Sequence, residues 1–147
     1  MTLEQRFDAL AAVPELNAIS AQARATLAAS MRQERFAAGE AVIATGDVAD
    51  RVFVLCEGVL EVTQQDRAEP LRQLRPGALL GELAFFADSP RTATVRAVEP
   101  SVLLSLPYEN FRAFLLRHPE SLFVLTRRIV QTLREVEASL ARRGPAD

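Results

Sequence analysis

The sequence predicts a mainly β domain with flanking helices, its short strands wound as a sandwich or jelly roll between N-terminal helices and a C-terminal helix pair. Two observations carry that prediction. From Gln33 to Leu106, short β-favouring runs follow one another closely, separated by glycine, proline and acidic turn residues. That rhythm suits antiparallel strands and leaves no room for the crossover helices of βαβ units. In residues 1–32 and 107–141, apolar residues recur at helical spacing instead.

Leu3, Phe7 and Leu10 share one helical face, and Pro14 stops that helix because the residue before a proline avoids the helical region. A second helix follows with Ser20 as its cap and Leu27 and Met31 on its inner side. At Phe36-Ala37-Ala38-Gly39-Glu40 the period changes. Strands are predicted at Gln33 to Ala37, Ala41 to Ile43, Arg51 to Cys56, Val59 to Thr63, Leu71 to Arg75, Thr92 to Val98 and Val102 to Leu106. Their punctuation is Gly39, Thr45-Gly46-Asp47, Glu57-Gly58, Asp66 to Pro70, Arg75-Pro76-Gly77 and Glu99-Pro100. Between Gly58 and Thr63 the residues alternate, Val59 and Glu61 on one face and Leu60 and Val62 on the other.

Pro107 opens a helix that carries Phe111, Phe114 and Leu115 inward, and Pro119-Glu120 opens the last helix, which runs to about Ala141. Ile129, Leu133, Val136 and Leu140 form a coiled-coil-like seam along it. Two readings of that seam stand side by side: a lid against its own domain, or a contact with the same helix of a second copy. Arg142-Arg143-Gly144-Pro145 reads as a frayed tail.

At 147 residues, 49% hydrophobic and 24% charged, residues 1–147 form a single domain that buries a core without disulfide or metal staples. No apolar run approaches the roughly 20 residues of a membrane helix. A formal charge of −2 supplies no overall basic field for nucleic acid. Cys56 stands alone, which excludes a disulfide framework and suits a reducing compartment. Met1 is followed by an early acid and no basic-then-apolar leader, so a cytoplasmic location is expected. The single histidine, His118, precedes a proline in a connector. With no Walker loop, no Cys/His pair at metal spacing and no Ser/His/Asp set, neither an enzyme nor a metal or cofactor site is expected.

Residues 79–97 look built for a ligand. Gly81 lets the backbone approach a bound group, and a short helix after it aims the N–H groups of Leu83 and Ala84 at an anion. Glu82 repels phosphate but accepts well from sugar hydroxyls, while the planar fork of Arg91 suits two phosphate oxygens. A ligand carrying both phosphate and ribose satisfies both side chains. The base of such a ligand needs apolar walls, for which Val62, Leu71 and Leu83 are candidates against the plainer reading that each is core. Arg91 also has a plainer reading, a solvated strand-end charge paired with Asp88. As a ligand-facing group, its removal is expected to change fold stability little.

Gly81-Glu82-Leu83-Ala84 followed by Pro90-Arg91-Thr92-Ala93-Thr94-Val95 resembles the phosphate-binding cassette of cyclic nucleotide-binding domains, the sensor domains of catabolite-activator and protein-kinase-A regulatory-subunit type. The resemblance runs from about Leu16 to Leu140 and includes Gly39, Gly46, Gly58 and Gly77. It implies a β-roll, a form of double-stranded β-helix, at residues 33–106, and cyclic AMP or cyclic GMP as the ligand with no further cofactor. In that family the glutamate holds the ribose 2′-hydroxyl and the arginine the cyclic phosphate, roles that fall on Glu82 and Arg91. Backbone amides around Gly81, Leu83, Ala84, Thr92 and Ala93 complete the cradle. Leu133, Val136 and Glu137 fall near where family members cap the base, beside Val62 and Leu71 as base contacts, against the plainer reading that Glu137 is solvated beside Arg134. The Thr92 hydroxyl serves the phosphate alone or also reaches a guanine amino group.

The resemblance further implies that phosphate tightens Gly81 to Thr92 and that the helices from Pro107 onward repack, acting on an effector the sequence does not name. No helix-turn-helix follows the last helix, so direct DNA binding by this chain is not expected. A homodimer through the C-terminal helix is one expectation. The competing function is an interaction module that keeps the fold and binds no nucleotide.

Overall fold

The computed structural model describes residues 1–65 and 68–143, without the side chains of residues 136, 139 and 143. The start of the predicted Asp66 to Pro70 turn, the tail from Gly144 and the Val136 side chain therefore lie outside the described residues. Helices α1 (Leu3–Ala11) and α2 (Ala21–Ser30) flank a 3-10 turn at Pro14–Leu16. Thr2 and Gln5 close α1 as a capping box, and Ser20 accepts from the Ala23 N–H at the start of α2. Strands β1 (Arg32–Phe36), β2 (Ala41–Ile43), β3 (Arg51–Glu57), β4 (Leu60–Thr63), β5 (Arg72–Leu74) and β6 (Leu79–Leu80) lead to the short helix α3 (Glu82–Ala87). Strands β7 (Thr94–Ala97) and β8 (Ser101–Pro107) and helices α4 (Tyr108–Arg117) and α5 (Pro119–Arg143) complete the chain.

The strands form two four-stranded antiparallel sheets, ordered β1-β8-β3-β6 and β2-β7-β4-β5. This is the predicted mainly β fold with flanking helices, a β-roll. Between the sheets lies one core, with Phe53, Leu55, Leu60, Val62, Val95 and Leu103 at its centre. A second core fills the space between the outer face of the first sheet and the helices, where Val52, Val54, Leu104 and Leu106 meet Leu10, Leu27, Phe111 and Leu125. The two cores explain why β3 is apolar from Val52 to Cys56 and β8 from Val102 to Leu104, and not on alternate residues: both faces are covered. β4 has a core on one side only, and its burial alternates as the sequence predicts.

Cys56 is half-buried at the edge of the helix-side core, and burial pushes its thiol up to about 11, so it fills space as a neutral group. His118 ends α4 with its ring tilted over Phe114 at 4.8 Å between centroids, a connector as expected. β6 was not among the predicted strands. Two residues carry no periodic signal, and β6 exists because Leu79 and Leu80 pair with Val54 and Phe53 of β3. The predicted strand from Thr92 begins only at Thr94, because the backbone of Arg91 is bonded to a loop and not to a strand. No helix among the described residues is long and apolar enough to cross a membrane.

Candidate functional site

The short β6 strand sets the site. By pairing with the middle of β3, it delivers Gly81 against Arg51, and the chain turns there through a φ of 91° into α3. A β-carbon on Gly81 would stand 2.9 Å from the Arg51 carbonyl oxygen and 3.1 Å from Nη1 of Arg91. Glycine is required twice over, by the left-handed backbone and by the lack of space. α3 then ends at Asp88 with a φ of 50°, a left-handed conformation that aspartate tolerates better than most residues.

Arg91 is fixed from both ends. Its N–H donates to the Asp47 carbonyl at 3.1 Å and its own carbonyl accepts from the Gly46 N–H at 2.9 Å, so the predicted Thr45-Gly46-Asp47 turn holds its backbone. The side chain is buried, 7% exposed, and reaches back under the start of α3. Nη1 donates to the Gly81 carbonyl at 3.3 Å and to the Tyr108 hydroxyl at 2.9 Å, and Nη2 donates to the Arg51 carbonyl at 2.8 Å. The alternative pairing with Asp88 does not occur among the contacts Arg91 makes. The guanidinium ties together β3, the Gly81 turn and α4, so removing Arg91 is expected to lower stability rather than change it little.

Beside this arginine opens a cleft of about 430 Å³, within the range of small-molecule sites. Its floor is Gly77, Ala78 and Leu79 with Glu82 and Leu83 of α3. Arg72 and Leu74 of β5 form one wall, Pro14 and Glu15 another, and α5 covers it with Leu125, Arg128, Ile129, Thr132 and Leu133. Burial lifts the Glu82 carboxyl above the ordinary carboxylate range, and the nearby charge of Glu15 adds to the rise. Glu15 is itself buried and forms an ion pair with Arg128, Oε1 to Nε at 3.1 Å, joining the N-terminal turn to α5 across the cleft. A second opening, about 500 Å³, lies on the other flank of α3 between Ala84, Phe85, Asp88 and the first turn of α4.

The fold thus brings Glu82, Leu83 and Leu133 into one cleft, while Gly81 and Arg91 lie outside its lining, with Arg91 bonded to the Gly81 carbonyl next to Glu82. Ala84 faces the other opening and Ala93 is half-buried against the inter-sheet core. Three expected base contacts are corrected. Val62 points into the inter-sheet core because β4 alternates that way. Leu71 lies one residue before β5 and is 38% exposed, outside the cleft lining; Leu74 and Leu79 supply the apolar wall instead. Glu137 is exposed on α5 a turn beyond Leu133, where the lining ends. Thr92 is exposed, which leaves its hydroxyl free toward a ligand, while the Thr94 hydroxyl is held 2.8 Å from that of Thr45. Sequence reasoning missed Glu15, Arg72, Arg128 and Tyr108. The first three come from distant elements that only folding brings together, and Tyr108 looked like one more residue at a helix start.

Comparison with known proteins identifies the family. The family model of the cyclic nucleotide-binding domain matches residues 33–118. The chain is 33% identical over 103 residues to a cAMP-dependent protein kinase regulatory subunit of Emericella nidulans, covering 70% of this chain and 25% of that protein. It is 31% identical over 137 residues to a cyclic nucleotide-gated potassium channel of Mesorhizobium japonicum, covering 93% of this chain and 35% of the channel. Among solved structures, the N-terminal domain of a transcriptional regulator from Streptomyces coelicolor is 31% identical with a TM-score of 0.73, covering 90% of this chain and 97% of that one. The chain spans about a quarter to a third of the length of these two curated relatives. With the β-roll, the Gly81–Arg91 cassette and the family match over more than half its length, this chain belongs to the cyclic nucleotide-binding domain family.

Proposed function

We propose that this domain is a sensor that binds a cyclic nucleotide in the cleft beneath α5 and passes the event to α4 and α5, without catalysing a reaction. One observation carries the reading. The Glu82 carboxyl lines the cleft and the Arg91 guanidinium is bonded to the carbonyl of the adjacent Gly81, which supports a single small ligand whose ribose meets the first and whose phosphate engages the second at the Gly81 turn. The kinase subunit and the channel are named for cyclic AMP and for cyclic nucleotides, which supports this class of ligand. Cyclic AMP is the proposed physiological ligand with cyclic GMP also accepted, because the exposed Thr92 offers guanine at most one neutral hydrogen bond, worth about 0.5 to 1.5 kcal/mol. A cytoplasmic setting and an effector protein or domain acted on by the helices belong to the same reading.

Calorimetric titration with cyclic AMP and cyclic GMP tests it. Both nucleotides are expected to bind, within about ten-fold of one another. Arg91→Ala is expected to weaken cyclic AMP by about 2 to 5 kcal/mol, since it removes a charge partner from a partly desolvated site. Binding of neither nucleotide by the wild-type protein would leave the interaction module as the function. The exposed Leu133 and Leu140 on α5 favour a weak homodimer alongside the sensor role.

A further inference from the structure

Arginine carries five N–H donors in a rigid planar fork. In Arg91, three of them are already engaged: two on Nη1, to the Gly81 carbonyl and the Tyr108 hydroxyl, and one on Nη2, to the Arg51 carbonyl. The donors left are Nε–H and the second hydrogen of Nη2, a pair that matches two oxygens of one phosphate. Tyr108 is not a bystander in this arrangement. Its hydroxyl accepts from Arg91 and donates to the same Gly81 carbonyl at 2.5 Å. Its own N–H is bonded to the Asp50 carbonyl at 2.9 Å, and its ring packs edge-on against Phe85 of α3 at 5.1 Å. Tyr108 is also the first residue of α4.

Resting on the nucleotide reading above, we propose that Tyr108 is the positioning residue of the phosphate site: its hydroxyl saturates the far edge of Arg91, presents the remaining two donors to phosphate, and ties the phosphate arginine to the first turn of α4. Phosphate drawn onto Arg91 therefore pulls directly on the helix that leads to α5. The linkage is a two-atom contact between cassette and helix, Nη1 to Oη, and it needs no rearrangement of the sheets.

A double-mutant cycle decides the matter, read by calorimetric titration of cyclic AMP into wild type, Tyr108→Phe, Arg91→Lys and the double variant. Tyr108→Phe keeps the ring and its contacts with Phe85, and thermal melts of all four proteins establish that each is folded. In the wild-type background the loss of the hydroxyl is expected to weaken cyclic AMP about ten-fold. In the Arg91→Lys background, where the fork is gone, the same change is expected to cost less than about two-fold. A cost equal in both backgrounds assigns the hydroxyl a purely structural role and overturns the proposal. Wild-type protein that takes up no cyclic AMP overturns the nucleotide reading as well, a result distinct from binding with additive losses.

Discussion

Glu82, the residue proposed to hold the ribose, is a carboxylate that burial sets against stability. Lodged in the cleft with Glu15 nearby, it holds its proton to a higher pH in the folded chain than in the unfolded one. Between the unfolded and folded pKa the native state binds more protons, so stability falls as pH rises through that window and the loss persists at neutral pH. Glu82→Gln removes the burdened charge. The variant is expected to melt at a higher temperature than wild type at neutral pH, with the gap closing as pH falls below the ordinary carboxylate range. The same substitution is expected to weaken cyclic AMP by about 1.5 to 3 kcal/mol, the worth of a hydrogen bond to a charged group, and to leave 2′-deoxy cyclic AMP nearly unchanged. Equal losses for the two ligands would assign the carboxylate to shaping the cleft rather than to the ribose.

The cassette works because two weak local preferences are enforced by a strand. β6 is only Leu79 and Leu80, yet its pairing with β3 decides where Gly81 turns and hence where α3 starts. Gly81→Ala is expected to cost at least about 1 to 2 kcal/mol from the left-handed backbone alone. The added methyl also presses on the Arg51 carbonyl and on Nη1 of Arg91, so the loss extends to the arginine proposed to hold the phosphate. Melting and cyclic AMP titration on this variant are expected to fall together. A full loss of binding with unchanged melting would show that the turn is not strained by the methyl. β3 itself is held from the far side by Glu34 of β1, whose carboxylate takes a two-pronged contact from Arg51 at 2.9 and 3.1 Å.

α5 decides how the domain meets its surroundings. Its first turns are anchored by Leu125, 2% exposed, and by the Arg128–Glu15 pair, while Leu133 and Leu140 further along are 56% and 59% exposed. The helix therefore roofs the cleft with its middle and extends its end outward. A chain ending at Thr132 keeps both anchors and loses Leu133 from the roof. It is expected to fold, to bind cyclic AMP about five-fold more weakly, the worth of one partly buried apolar side chain, and to release it faster. Sedimentation of the same protein reports the other role. Loss of dimers with unchanged affinity would make the outer part of α5 an interface and not a roof.

Much of this could be read from the residues in order. The strand punctuation, the Ser20 cap, the inward faces of α2 and α4, and the Gly81 to Arg91 cassette are local patterns, and local chemistry suffices to specify them: turn residues at fixed offsets, a hydroxyl before a helix, apolar residues at one period or another. The apolar β3 run was legible as buried, though not that it divides two cores. What lies across the cleft from Glu82 was not legible. Glu15, Arg72 and Arg128 come from the N-terminal turn, an edge strand and the last helix, and no spacing in the sequence relates them. Val62 reads as a wall of the ligand site because a period of two tells which residues share a face, and only the packing of the second sheet tells which face is the core; Leu71 falls just outside β5, at a strand boundary that no period marks. The partners of Arg91 belong to the same class: its charge and its place after Pro90 were written in the sequence, but the Gly81 carbonyl, the Arg51 carbonyl and the Tyr108 hydroxyl reach it only when β6, β3 and α4 have closed around it.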